Sequence, residues 1–315
     1  MYSIDSLMSN QISHTVASSE RWQKGMESVR FGSYIIQHEI ESALEEGRGS
    51  LIGRHGTIEL TSFLSIEQLG SVDSDKRALL ELHAGIFPST EDSVRTWAKE
   101  YTDATKESNV FAAAWYKPLA EAEWSYLKQH SPKSIRIPLR SLEPYYSMPD
   151  MSWFQALDGQ HVAVVSSFAE SMATQVQHLS TIWPQDPCLI PPRIQWSFVR
   201  SYYCPITARG VCEWPTSIQS WHDAVGLLEA QVLATGANIV LIGCGGLAMP
   251  LALRLKRQGK ICIVLGGAIQ LLFGLKGYRW KHHPFISQLF NSSWKRPSHT
   301  ELPGNAHAIE GGCYW

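Results

Sequence analysis

Residues 239–267 read IVLIGCGGLAMPLALRLKRQGKICIVLGG, and the order of textures in this stretch decides the fold. An apolar, β-branched run at 239–242 reads as a strand and ends on Gly243-Cys244-Gly245-Gly246. A helical pattern covers 247–258, and a second strand at 261–265 ends on Gly266-Gly267. Strand, glycine turn, helix and strand make one parallel crossover unit. Gly243, Gly245 and Ala248 take the three places of the dinucleotide fingerprint G-x-G-x-x-G/A, where glycine permits a tight turn and lets backbone N–H groups approach a phosphate. Pro250 falls in the first helical turn, where its missing donor costs little. A nicotinamide site calls for an acid at the end of the next strand, and 265–267 is Leu-Gly-Gly. That weakens the nicotinamide reading and leaves a phosphate-contacting turn or a purely structural one.

The charge around this unit is one-sided. Residues 230–300 contain no Asp or Glu but nine Lys or Arg: Arg254, Lys256, Arg257, Lys260, Lys276, Arg279, Lys281, Lys295 and Arg296. At the chain's average of 29 acids in 315 residues the window would hold about six or seven. Glycine-rich strand ends beside positive charge suit a phosphate-bearing ligand. The plainer reading is a cationic surface whose acidic partners lie elsewhere in the chain. Net charge is only −2, so the asymmetry is local and favours a small anion over a nucleic-acid coat.

Further out, the same alternation continues. Residues 31–46 have helical spacing at Ile35, Ile36, Ile40 and Leu44, and 50–54 read as a strand followed by a helix from about Ile58. Helices are predicted over 74–85, with Asp73 or Ser74 as cap, and after Ser89. Strands are expected at 110–116, 134–139, 161–168 and 193–202, a loop at 184–192, and helices at 169–182 and 221–235. The last carries a stripe of Leu227, Leu228, Val232 and Leu233. Strands alternating with helices predict an α/β fold, a Rossmann-like, mainly parallel sheet with helices on both faces. Residues 1–24 are polar and Ser-rich and read as an N-terminal arm, loose or a short helix. Residues 25–315 read as a single domain, although the Pro-containing segment 143–150 resembles a short linker.

Composition narrows the class. The chain is 44% hydrophobic and 18% charged, enough to bury a sizeable core. Its twelve Trp are spread along the chain as core or groove walls. None of the six Cys forms a C-x-x-C pair, so neither a zinc site nor a redox motif is supported. The uncharged run 230–253 is long enough to span a membrane, but glycines and Pro250 divide it, so no transmembrane segment is expected. Without a visible signal peptide, a cytoplasmic location is expected.

Other motifs carry chemistry of their own. Arg54-His55-Gly56-Thr57-Ile58-Glu59 places a cation and a carboxylate at a strand-to-helix turn. Arg54 suits a phosphate, and Glu59 suits a base or a sugar hydroxyl. Spacing alone equally gives an Arg54–Glu59 ion pair. Asp73-Ser74-Asp75 has D-x-D form but reads as a helix start. His282-His283 is adjacent rather than four apart, a poor metal pair. No G-x-S-x-G elbow occurs, which argues against an α/β-hydrolase.

Taken together, SLIGRHGTIEL, HVAVVSSFAESMATQ, the segment 239–280, WKRPSHTELP and IEGGCYW resemble the GT-D-type glycosyltransferases and a GT-D-like subgroup of poorly characterised bacterial proteins. Arg54, Gly56 and Glu59 match the family's early R-x-G-x-x-E signature. The resemblance implies transfer of a sugar from a nucleotide sugar to a glycan or polysaccharide acceptor, in surface glycan assembly. It implies Glu59 and Arg54 as catalytic residues. It implies nucleotide-sugar contacts at Gly56, Ser166, Gly243, Gly245, Gly266, Gly267, Gln270, Lys276 and Arg279, with Arg54, Lys276 and Arg279 facing the diphosphate. The chain departs from the family at one point. Characterised members carry D-x-E after the strand matching 261–265, whereas this chain has Gly267-Ala268-Ile269-Gln270. No protein ligand for Mn²⁺ or Mg²⁺ is therefore expected there, and no cofactor is firmly expected. Transfer without metal, or nucleotide-sugar binding without transfer, follows as the alternative.

Overall fold

The computed structural model describes residues 19–113, 119–147, 152–186 and 189–315. Seven strands form one sheet: β1 Ser50–Arg54, β2 Val110–Ala113, β3 Ile135–Pro138, β4 His161–Ser166, β5 Gln195–Arg200, β6 Ile239–Gly243 and β7 Ile261–Val264. Their order is β3-β2-β1-β7-β6-β4-β5, and every pairing is parallel. The expected α/β architecture is the one observed.

Alternate residues of each strand feed opposite cores. Leu51, Ala163, Val165, Val240, Ile242, Cys262 and Val264 point to one face. Ile52, Val162, Val164, Ile239, Leu241, Ile261 and Ile263 point to the other. The first face is covered by α2 Thr57–Leu69, α3 Glu91–Lys106, α4 Leu119–His130, α6 Trp221–Thr235 and α7 Ala248–Arg257. The second is covered by α1 Ser19–Glu46, by α5 Ala169–Gln175, by short 3₁₀ turns around Trp153 and Phe154, and by the chain after β7. A strand buried on both faces needs apolar residues throughout, and all four residues of the central β7 are buried.

Caps fix the helix starts. Thr90 accepts from Ser93 N–H at 3.4 Å and begins α3, whose buried Val94, Trp97, Ala98, Tyr101 and Ala104 keep helical spacing. Ser220 and Asp223 bond reciprocally at the start of α6, and Gly236 closes it in the left-handed region. Asp73 accepts from Lys76 N–H at 2.8 Å, the helix-start role read from D-x-D.

Several expectations are corrected. The first helix begins at Ser19, inside the segment read as an arm; residues 1–18 lie outside the described residues. The α6 stripe is Trp221, Ala224, Val225, Leu228 and Val232, while Leu233 is exposed. The helix expected over 169–182 breaks into α5, a 3₁₀ turn and a four-residue helix. The strand expected at 110–116 ends at Ala113, and 114–118 lie outside the described residues. In the segment read as a linker, Pro144, Tyr145 and Tyr146 are buried in the second core; residues 148–150 again lie outside the described residues. Among the described residues no helix is long and apolar enough to cross a membrane.

Candidate functional site

Four adjacent strands, β1, β7, β6 and β4, end at one cleft of about 320 Å³. This is the crevice at the carboxyl ends of a parallel sheet where α/β proteins bind ligands. Arg54 ends β1, Gly243 ends β6 and Ser166 ends β4, and all three line the cleft. So do Gly56, Glu59, Gly245, Gly266, Gly267, Gln270 and Arg279. Lys276 is absent from the lining. Its ammonium lies 5.6 Å from the Phe290 ring centre, and its backbone N–H bonds to Lys295. Of the expected contacts, Lys276 is the one that the structure does not bring to the cleft lining.

The turn after β1 is held by its own peptide. Arg54 Nε and Nη2 donate to the His55 carbonyl at 3.2 and 3.0 Å, and Nη1 donates to the Leu265 carbonyl at 3.3 Å. A guanidinium has five N–H donors, so two have no protein partner among the described residues. No ion pair joins Arg54 to Glu59 among the described residues, so the simple-pair reading of R-x-G-x-x-E does not hold. Burial pushes the Glu59 carboxyl above its ordinary range; its own backbone N–H and the Arg54 charge pull it down, and Glu310 pushes it up again.

The glycines are largely filled by the protein itself. Gly266 has φ 63°, open to glycine at little cost, and a side chain there would meet Arg54 Nη1 at 2.9 Å. The space beside Gly267 is taken by the Tyr314 ring, and that beside Gly56 by the Glu59 carboxylate. The turn at Gly246 is fixed by the Trp97 indole, which donates to the Gly246 carbonyl at 2.9 Å. Gln270 is fully buried, and its amide donates to the Leu275 and Tyr314 carbonyls at 3.2 Å each.

The acid-free window is acid-free in sequence and not in space. Glu59, Glu143 and Glu310 all line the cleft. Arg279, the expected diphosphate contact, is ion-paired to Glu310 and lies 4.7 Å from the centre of the Tyr314 ring. Glu310 N–H donates to His83 Nδ1 at 3.1 Å. Tyr145 donates its hydroxyl to Glu143, whose carboxyl burial also pushes upward. Meanwhile Arg254, Lys256 and Arg257 sit at the far end of α7, at the opposite edge of the sheet. There Arg254 pairs with Glu100 at 3.1 Å, and Arg257 pairs with Glu107. For Arg254 and Arg257 the plainer reading of the charge is the right one, while the Lys256 ammonium donates to the Glu107 backbone carbonyl. Glu143, Glu310, Tyr314 and Trp315 were missed as site residues because they are distant in sequence. The one available signal was the window itself, whose unpaired cations had to find acids from outside.

The donor set does not fit a divalent ion. No group of three or more His, Cys, Asp or Glu is placed to hold a metal among the described residues. Glu310 is committed to Arg279 and Glu143 to Tyr145.

No family model matches the chain, and no curated protein does. Two solved structures are similar. One is a selenomethionine-substituted structure of domain of unknown function 1792, with a TM-score of 0.43. The other is of the same domain, described as having a distinct glycosyltransferase fold, with a TM-score of 0.42. Each is 13% identical to this chain, and each comparison covers 88% of this chain and 96% of the other. Likeness at this level says nothing of this chain's activity.

Proposed function

We propose that the chain binds a nucleotide sugar in this cleft and transfers the sugar to a glycan or polysaccharide hydroxyl. The observation that carries the reading is the meeting of a cation, Arg54, with two donors unpartnered among the described residues, and a buried carboxyl, Glu59, at the carboxyl ends of four parallel strands. In the proposed step the acceptor oxygen attacks the anomeric carbon and the bond from that carbon to the diphosphate oxygen breaks. The acceptor proton passes to Glu59, whose affinity for protons is raised by burial. The nucleoside diphosphate leaves with its negative charge facing Arg54 and, once Glu310 yields it, Arg279. No step is routed through a metal.

Calorimetry on the full chain with nucleotide sugars, nucleoside diphosphates and NAD(P), followed by product analysis with candidate acceptors, tests the reading. Binding of nucleotide sugars that survives EDTA and weakens with salt is expected. No binding at millimolar concentration sinks it, and tight binding of NAD(P) alone replaces it with an oxidoreductase. A second reading is a nucleotide-binding protein without transfer. It is favoured by the pairing of Arg279 with Glu310 and by Tyr314 lying over Gly267. Binding without any transfer would select it.

A further inference from the structure

Behind the cleft lies a buried polar pair that the proposed reaction does not use. His55 stands between Arg54 and Gly56, yet it is outside the cleft lining. Its ring sits in a box of aromatic rings, 4.4 Å from Phe111, 5.0 Å from Phe63 and 5.8 Å from Tyr101 between centroids. Inside this box Nδ1 is 2.9 Å from Glu123 Oε1 and Nε2 is 3.2 Å from Thr105 Oγ1. The side chains of His55 and Glu123 are each only 1% exposed. Glu123 comes from α4 and Thr105 from α3, so two helices meet β1 at this ring.

Thr105 settles the ring's orientation. Its hydroxyl donates to the Tyr101 carbonyl at 3.0 Å, so its oxygen accepts from His55 Nε2–H. The contact of Nδ1 with Glu123 then holds one further proton between the two groups. Apolar packing alone would fill the same box with a phenylalanine. A hydrogen-bonded pair costs desolvation, but it fixes the depth and rotation of the ring. The peptide bearing that ring lies between two residues that line the cleft, Arg54 and Gly56. Its carbonyl accepts two of the three Arg54 bonds, and the Tyr101 hydroxyl reaches the Arg54 carbonyl at 3.5 Å. The next carbonyl, of Gly56, accepts from Leu60 N–H at 2.9 Å and so opens the helical turn that carries Glu59.

We propose that the His55–Glu123 pair, steadied by Thr105, is a positioning device that aims the Arg54 guanidinium and the first turn of α2 into the cleft. Its effect on transfer rests on the reading of the cleft as a nucleotide-sugar site; its effect on Arg54 does not.

The decisive variant is His55→Phe/Glu123→Leu, which removes both polar partners and keeps apolar bulk in the box. Such exchanges are often neutral or stabilising, so the protein should fold with an unchanged or higher Tm. In the folded variant, NMR should show the Arg54 Nε–H losing its protection from solvent exchange. The kcat for transfer should fall about 100-fold with a smaller change in KM, since a misplacement near 1 Å costs about that much. Glu123→Gln, which keeps a hydrogen bond to the ring, should retain most of both signals. A stable double variant with protected Arg54 Nε–H and wild-type transfer overturns the proposal and leaves the pair merely structural. If the double variant does not fold, Thr105→Val decides, because removing one support should partly deprotect the same Nε–H and unchanged protection overturns the idea. If the wild-type protein neither binds nor transfers any nucleotide sugar, the function reading fails, while the exchange measurement still judges the positioning role.

Discussion

Three helices start at the mouth of the sheet, and they treat their free N–H groups in different ways. The helix after β1, α2, has no side-chain cap but brings Glu59 in its first turn. The helix after β4, α5, borrows an acid from far along the chain. The fully buried Glu301 accepts from Glu170 N–H at 2.8 Å, from Ser171 N–H at 3.2 Å and from the Ser171 hydroxyl. The helix after β6, α7, follows a glycine turn and has neither a side-chain cap nor an acid in its first turn. A helix start attracts anions, but where the chain supplies its own carboxylate that attraction is already used. On the proposed function, the contrast favours the β6–β7 side of the cleft for the phosphates of the nucleotide sugar, away from α5.

Breaking the acid of α2 should have the largest effect. Glu59→Gln keeps the shape and removes the proposed base, so transfer should fall at least about 100-fold. The same change should raise Tm at pH 7. A carboxyl whose folded pKa is raised contributes stability below its unfolded value, near about 4.3, and loses it as pH rises through the folded value. The advantage of Gln should therefore shrink as melting curves are taken toward pH 4. Near-normal transfer by the folded variant would reduce Glu59 to a structural group.

Removing the borrowed acid should cost stability and leave binding alone. Glu301→Ala strips three hydrogen bonds from the start of α5 and leaves buried donors unmet, a loss of about 1–3 kcal/mol in denaturant melts. Nucleotide affinity of the folded protein should hold; an affinity gained or lost in step with stability would mean that α5 faces the ligand after all.

The uncapped side is probed through its cation. Arg279→Ala should weaken nucleoside diphosphates about tenfold, and the free nucleoside much less, with the contrast fading at high salt. The smallest effect is expected for Lys276→Ala, within about 0.5 kcal/mol in the same titrations, because Lys276 lies outside the cleft. Equal losses for the two variants would show that the phosphate lies beyond the cleft as drawn.

How far the sequence carried these conclusions depended on the range of each interaction. The strands at 50–54, 161–166, 239–243 and 261–264 and the helix starts at Asp73, Thr90 and Ser220 are local patterns of alternation and capping, legible in a few residues. The helix α4, LAEAEWSYLKQH, is not legible as an apolar stripe because a carboxylate, Glu123, stands on its buried face beside Tyr126 and Leu127. Arg54, Gly56 and Glu59 were legible because one turn holds them together. Glu310 and Glu301 were not, since each meets its partner across a separation that only the folded chain closes. The charge window misled for the same reason: α7 carries residues 254–257 to the far edge of the sheet, whereas Arg279 stays at the cleft.

The middle of the sheet is closed by contacts of long range. Strand β7 lies between β1 and β6, and the bond from Arg54 to Leu265 joins residues 211 apart. Contacts of such long range are late and slow to form, because the intervening chain must first be brought into place. A nascent chain that has not yet extended past Gly266 lacks Gln270, Arg279 and the wall of Glu310, Tyr314 and Trp315. A ligand of this cleft therefore binds only the completed fold, and it would draw partly folded chains toward that state by mass action.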